Sequence, residues 1–180
     1  MNLGVFAILT VCKKHRISAV EQMCMLWHLV NVTWFQTGCD VLSGLFQVMP
    51  NLSDDYNLLN ERHKFPLHHP ERIHIDVIYW FELVVEIPLG IVVLYLYLTR
   101  NSTRYVVEAF LHGMHLTGAF AYYVPGLILG ETTHVVLSNI DRAIASLWVI
   151  VPVMLLWRAA RLHSKYNNVN GRMDIKLKHQ

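Results

Sequence analysis

Residues 75–98 read IDVIYWFELVVEIPLGIVVLYLYL, a run whose only charged residues are the three acids Asp76, Glu82 and Glu86. Its length is close to the roughly 20 apolar residues a helix needs to cross the ~30 Å hydrocarbon core of a bilayer. Only a helix or a closed barrel keeps its backbone polar groups satisfied there, and such an unbroken apolar run reads as a helix. The whole chain has the same character. Of its 180 residues 54% are hydrophobic and 16% charged, whereas soluble domains carry about 25% charged residues. An ordinary cytosolic enzyme is excluded, as are collagenous, coiled-coil and disordered chains.

Three further stretches qualify as spans: about 22–49, which holds the acid Asp40; about 105–129, with Glu108, His112 and His115 towards its start; and about 140–162, which opens on Asp141-Arg142 and contains Trp148 and Pro152. Pro50, the Arg100 to Arg104 stretch and the polar run Gly130 to His134 punctuate them as loops. The expected fold is all-α, an integral-membrane four-helix bundle. Its parts are an N-terminal segment 1–21, a transmembrane domain 22–162 and a basic tail 163–180.

Four spans place both termini and the loop at 99–104 on one side. That side carries eleven Lys and Arg residues against four (Arg62, Lys64, Arg72, Arg142) on the other, which orients both termini to the cytosol. The N-terminal apolar stretch precedes its basic cluster, the reverse of a secretory signal. The ending Lys176-Leu-Lys178-His-Gln180 resembles the dilysine signal of endoplasmic reticulum membrane proteins, so a multi-pass protein of that membrane is expected. A formal charge of +2 gives no reason to expect a nucleic-acid partner. Cys12, Cys24 and Cys39 are odd in number and lack metal-ligand spacing, so they read as structural thiols. The lumenal histidines 63, 68, 69 and 74 are interrupted by Pro66 and Pro70 and match no zinc pattern. No metal and no cofactor are expected.

A carboxylate near mid-bilayer costs roughly 2.5–3.5 kcal/mol on insertion scales, so an intramembrane acid reads as functional by default. At a rise of about 1.5 Å per residue from the lumenal ends, Asp40 lies about 15 Å deep, Glu82 and Tyr122 about 10 Å, Trp148 about 9 Å and Glu86 about 16 Å. Asp40, Glu82, Tyr122 and Trp148 can then share a layer, and Glu86 shares Glu82's face. Neighbouring carboxyl groups in low dielectric cannot both ionise cheaply, so one retains a proton and serves as a general acid. An acid paired with a carboxylate can protonate an olefin or epoxide at one place and deprotonate at another. Trp148 and Tyr122 or Tyr123 would face the intervening cation. The structural reading is that the acids satisfy neighbouring helices. Glu108 and His112, near the cytosolic end, can snorkel outward and read as structural, while His115 lies deeper.

The motif Trp80-Phe-Glu82-Leu-Val-Val-Glu86-Ile-Pro88 resembles the second span of the EXPERA family, which contains the emopamil-binding-protein sterol isomerases and the sigma-2 receptor. Its Glu-Leu-Val-x-x-x-Pro core is most similar to the sigma-2 receptor. Order and spacing extend the resemblance over about 22–165, through Asp40, His115-Leu-Thr-Gly118 with Tyr122, and Ala145-Ser-Leu-Trp148-Val-Ile-Val-Pro152. It implies a four-helix fold with an intramembrane cavity for sterols or amphiphilic amines and, in the isomerases, a double-bond shift through a carbocation. Glu82 stands for the family's second-span glutamate, Asp40 for its first-span acid and Trp148 for its cation-facing tryptophan. Departures are Gln36 where the isomerases have histidine, Ala145 for asparagine, Val85 for threonine and His115 for glutamine.

The leading expectation is therefore an acid-assisted isomerase or cyclase of a terpenoid or sterol-like substrate. Asp40 and Glu82 are its catalytic pair; Gln36, Glu86, His115, Tyr122 and Trp148 contact the substrate. Gln36 cannot titrate as histidine does, so the departures fit an isomerase fold put to a different terpenoid. The alternative is a non-catalytic sterol or amphiphilic-amine binding protein resembling the sigma-2 receptor. Partners in either case are a hydrophobic small molecule and membrane lipid; family members can also form homodimers, although no dimer seam is legible.

Overall fold

The structure, a computed structural model, describes residues 10, 17–51, 53–54, 61–128 and 139–178; for residues 61, 123, 125–127, 139–145 and 166–178 it describes the backbone alone. Lys13, Lys14, Arg16, Cys12, the loop 130–138 and the side chains of Tyr123, Asp141, Arg142, Ala145, Lys176 and Lys178 lie outside what is described.

Four long helices dominate the described residues, with a short 3-10 turn, Glu61–Lys64, between the first two. Helix α1 starts as an α-helix, Ala19–Val30, capped by the Ser18 hydroxyl accepting from the Glu21 amide, and continues as a π-helix, Asn31–Leu45. Helix α2 spans Ile73–Leu98 and has a five-residue π segment, Glu82–Glu86, between α-helical halves. Helix α3 is Arg104–Ile128 and α4 is Asn139–Lys178. Each helix overlaps one of the four expected spans: α1 ends at Leu45, short of the expected 49, and α4 continues through the region read as a tail. Among the described residues, α2 alone is long and apolar enough to cross a membrane by length and composition, with a mean hydropathy of 2.1.

The π stretches have local causes. In α1 three bonds close five residues back: Thr37 Oγ1 donates to the Val32 carbonyl at 2.6 Å, Ser43 Oγ to Gly38 at 2.8 Å, and the Phe46 amide to Val41 at 2.9 Å. In α2 the π segment ends just before Pro88, which has no amide hydrogen to continue an i to i−4 ladder. Short π segments inside helices recur at functional sites. The five-residue one in α2 begins on Glu82 and ends on Glu86, while the longer, 15-residue π stretch of α1 contains Asp40.

Helix α1 packs on α2, α2 on α3 and α3 on α4. Two apolar clusters form: one from Cys24, Met25, Val93, Tyr97, Leu111 and Leu155, the other from Leu45, Ile75 and Tyr79 with Leu83 and Tyr122. Cys24 and Cys39 are buried free thiols. Polar residues concentrate inside: His28, Asn31, Gln36, Glu86, Glu108, His112 and His115 are all buried, while Trp34, Val84, Ile91, Phe110, Phe120 and Met154 are exposed. That inversion of the soluble-protein pattern is the arrangement hydrocarbon solvent favours, since charged side chains there turn towards one another and away from lipid.

The 61–76 region is tied to α1 by Arg72, which is fully buried. Its Nε donates to Asp76 Oδ1 at 2.7 Å, and its other nitrogens donate to the carbonyls of Gly44 at 2.6 Å, Phe65 at 3.0 Å and His63 at 3.1 Å. Gly44 has no room to be anything larger, because a Cβ there would stand 2.6 Å from the Tyr79 ring. Removing one partner of a buried pair leaves an uncompensated charge, at a cost of about 3–5 kcal/mol. Asp76→Ala should lower stability by that order, read as a fall in the unfolding midpoint in detergent; an unchanged midpoint would mean that the pair does not anchor this end.

Candidate functional site

Where the π segments of α1 and α2 face α3, buried polar side chains from all three helices meet. Gln36 Nε2 donates to Glu86 Oε2 at 2.8 Å and stands 3.2 Å from His115 Nε2. Asn31 Nδ2 approaches the same ring nitrogen at 3.5 Å, and Glu86 Oε2 lies 3.4 Å from it. With that nitrogen unprotonated, both amides donate to it. Gln36, Glu86 and His115 thus form one knot, each at most 8% exposed. The Gln36 side-chain oxygen has no hydrogen-bond partner.

Glu82, one π turn before Glu86, presents a buried Oε2 without a hydrogen-bond partner. Asp40 stands close enough to act electrostatically on both glutamates. Three carboxyl groups therefore occupy one region, with Gln36 donating to one of them. The aromatic residues lie on either side. Trp148 meets Phe35 edge-on at 4.4 Å between centroids and Trp27 at 6.1 Å, which puts its indole beside the helix turn that carries Gln36. Tyr122 packs against the cluster of Leu45, Ile75 and Tyr79, and its hydroxyl lies 3.4 Å from His63 Nε2. A cavity of about 940 Å³ lies towards the α4 end of the bundle, lined by residues such as Glu21, Tyr105, Trp157 and Arg161, away from the acids.

A second buried polar cluster sits a few residues earlier in α1 and α3. Glu108 accepts from the Tyr97 hydroxyl at 2.9 and 2.8 Å through its two oxygens, and His28 Nε2 approaches Oε1 at 3.2 Å. Arg158 donates to the Tyr97 hydroxyl at 2.8 Å and reaches Glu108 Oε2 at 3.4 Å. Glu108 and His112 are fully buried, which corrects the expectation that they snorkel outward: Tyr97 and Arg158 satisfy the carboxylate inside the bundle. The sequence signal was present, because residues 108, 112, 115 and 122 recur at helical spacing on one face of α3. What it lacked was the partner, since His28 is 80 residues away in the chain.

The chain matches the family EXPERA (expanded EBP superfamily) over residues 48–159. It belongs to the EXPERA family. No curated protein and no solved structure matches it. Membership makes this EXPERA chain a membrane protein of the sterol-isomerase-like or sigma-2-like kind, with a hydrophobic small molecule as its natural class of partner. The match covers α2, α3 and the part of α4 that carries Trp148; Gln36 and Asp40 lie before it.

Outside the spans, His63 supports the site from the loop. It lies 3.4 Å from the hydroxyls of both Tyr79 and Tyr122. Burial pushes its imidazole down to about 4, the neighbouring Arg72 guanidinium adds to that, and Asp76 works against it. The folded chain therefore keeps His63 neutral while the unfolded chain takes up a proton from about pH 6.5 downward. Its contribution to stability is lost as pH falls from about 6.5 to about 4, by roughly 3 kcal/mol at most. Across that window the unfolding midpoint of the wild type should fall more steeply than that of His63→Gln; parallel profiles would contradict a buried neutral His63.

Proposed function

We propose that this protein is an acid-assisted isomerase or cyclase acting within the membrane on a terpenoid or sterol-like substrate. The observation that carries the reading is the buried, unpartnered Glu82 oxygen beside Asp40 and Glu86. Leaving a buried polar atom unsatisfied costs about 1–3 kcal/mol, more for a charged group. A group held that way is poised for a ligand or for proton exchange, and buried unsatisfied groups in native proteins call for such an account.

In this reading the acid member of the Asp40–Glu82 pair delivers a proton to an olefin or epoxide, forming a carbocation, and a carboxylate removes a proton elsewhere to form the product double bond. Atoms balance without a redox partner: one proton enters, one leaves, and the skeleton is isomerised or closed. Gln36 holds Glu86 and His115 so that neither competes for the transferred proton. The indole of Trp148 and the phenol of Tyr122 offer π faces to the cation, and exclusion of water keeps the cation from being quenched. The endoplasmic reticulum membrane is the proposed location.

Gln36 favours a second reading. An amide in place of a titratable imidazole, locked to Glu86 at 2.8 Å, suits a binding site in which the carboxyl groups pair with an amine or hydroxyl of a sterol-like ligand and no product forms. The two separate on one experiment. A eukaryotic host expressing the chain or Glu82→Gln is supplied with sterol and prenylated precursors in heavy water, and its lipid extracts are compared by mass spectrometry. A deuterated isomer or cyclised product made only by the unaltered chain is the expected result. Equal product from a folded Glu82→Gln protein would remove Glu82 from the chemistry. Identical, product-free extracts would leave the binding reading.

A further inference from the structure

Helices α1 and α3 bring together His28, Glu108 and His112, each with one ligand atom within 4.8 Å of the others'. All three side chains are buried. His112 is the unusual member: both ring nitrogens are buried and neither has a hydrogen-bond partner. Nδ1 of His28 is likewise buried and unpartnered. The two imidazoles stack at 5.1 Å between centroids with 28° between planes. An imidazole buried with no partner loses its hydration and gains nothing in return, at about 1–3 kcal/mol for each unmet group, unless something binds it.

The geometry points to a binding site for a single divalent transition-metal ion of the zinc class, held by His28, Glu108 and His112 and tying α1 to α3. Two imidazoles and a carboxylate with a position left open are a donor set that zinc accepts, with bonds of about 2.0–2.2 Å. Ligand atoms in a tetrahedral site of that bond length stand about 3.3 Å apart, so closing the site asks for a shift of roughly an ångström at the side chains. His28 and Glu108 are already 3.2 Å apart. His112 follows Glu108 by four residues, so α3 presents both on one face without distortion.

The surroundings are those of a ligand shell. Metal-bound carboxylates are themselves hydrogen-bonded by outer groups that orient them, and Glu108 receives the Tyr97 hydroxyl on both oxygens with Arg158 behind Oε2. Oε1, on the His28 side, accepts the Tyr97 hydroxyl at 2.9 Å and, as a carboxylate oxygen with a second lone pair, has capacity left for a metal. Because Arg158 already offsets part of the carboxylate charge, affinity rests on the two imidazoles. Those suit zinc or cobalt, whereas magnesium and calcium require oxygen ligands. The site uses none of the acids assigned to proton transfer, so it stands whether or not that assignment does.

The test is a titration of the tag-free full chain in lipid nanodiscs, stripped with a chelator, with cobalt(II) followed by its visible ligand-field bands and zinc by competition. One saturable ion per chain is expected, undisturbed by excess magnesium or calcium. Tyr97→Phe, which removes only the outer hydroxyl, should weaken affinity about 10- to 100-fold. His112→Leu and His28→Leu should abolish binding, while the loop variants His63→Gln and His74→Gln keep it. Zinc should raise the unfolding midpoint of the wild type and not of His112→Leu. Absence of saturable binding by folded wild type would overturn the site and leave a buried water as the partner of these nitrogens. Binding that survives in His28→Leu/His112→Leu, or that disappears with the loop histidines, would overturn it equally.

Discussion

The contact on which the fold depends is the knot of Gln36, Glu86 and His115, where an amide, a carboxyl group and an imidazole from three helices meet with almost no exposure. In water such groups gain little by meeting, because solvent competes for each of them. In an apolar surrounding they have no other partner, so the three helices are held in one register by the cost of separating them. The flanking apolar clusters, one around Met25, Val93 and Leu155 and one around Leu45, Ile75 and Tyr79, fill space on either side of that layer. Apolar side chains such as Trp34, Val84 and Phe120 are turned outward, where lipid covers them at no cost.

The same layer is where chemistry becomes affordable. Both helices that carry its acids are in π register there, α1 from Asn31 to Leu45 and α2 from Glu82 to Glu86, which breaks the regular pairing of backbone and side chain. In α2 the change is completed by Pro88. Three carboxyl groups then share one region, and a buried oxygen of Glu82 has no hydrogen-bond partner, a poor design for stability and a suitable one for binding or proton transfer. Natural proteins break local rules of this kind at functional sites. The family to which the chain belongs is consistent with that use.

Much of this was legible beforehand. The 75–98 run declared a spanning helix, and the observed α2 begins two residues earlier and ends at the same leucine. The stretches around Asp40, His115 and Trp148 likewise sit on helices. The α-helical period, however, says nothing of π register: Thr37 and Ser43 bond five residues back, and no apolar pattern encodes that. Burial of Glu108 was misjudged because depth counted along one helix ignores what the others bring. Tyr97, Arg158 and His28 come from three separate helices and turn a surface-seeking glutamate into a core one. Pairings across 50 to 80 residues, such as Gln36 with Glu86 and His28 with Glu108, are invisible to spacing rules that act over one or two turns.

The proposed reaction requires that the acid layer hold a proton inside the membrane at neutral pH. Infrared spectroscopy of the chain in nanodiscs reads this directly through the carbonyl stretch of a protonated carboxylic acid, which a carboxylate lacks. That band is expected in the wild type at neutral pH, shifted in heavy water and altered by Glu82→Gln or Asp40→Asn. A wild-type spectrum with carboxylate bands alone would contradict the proposed reaction.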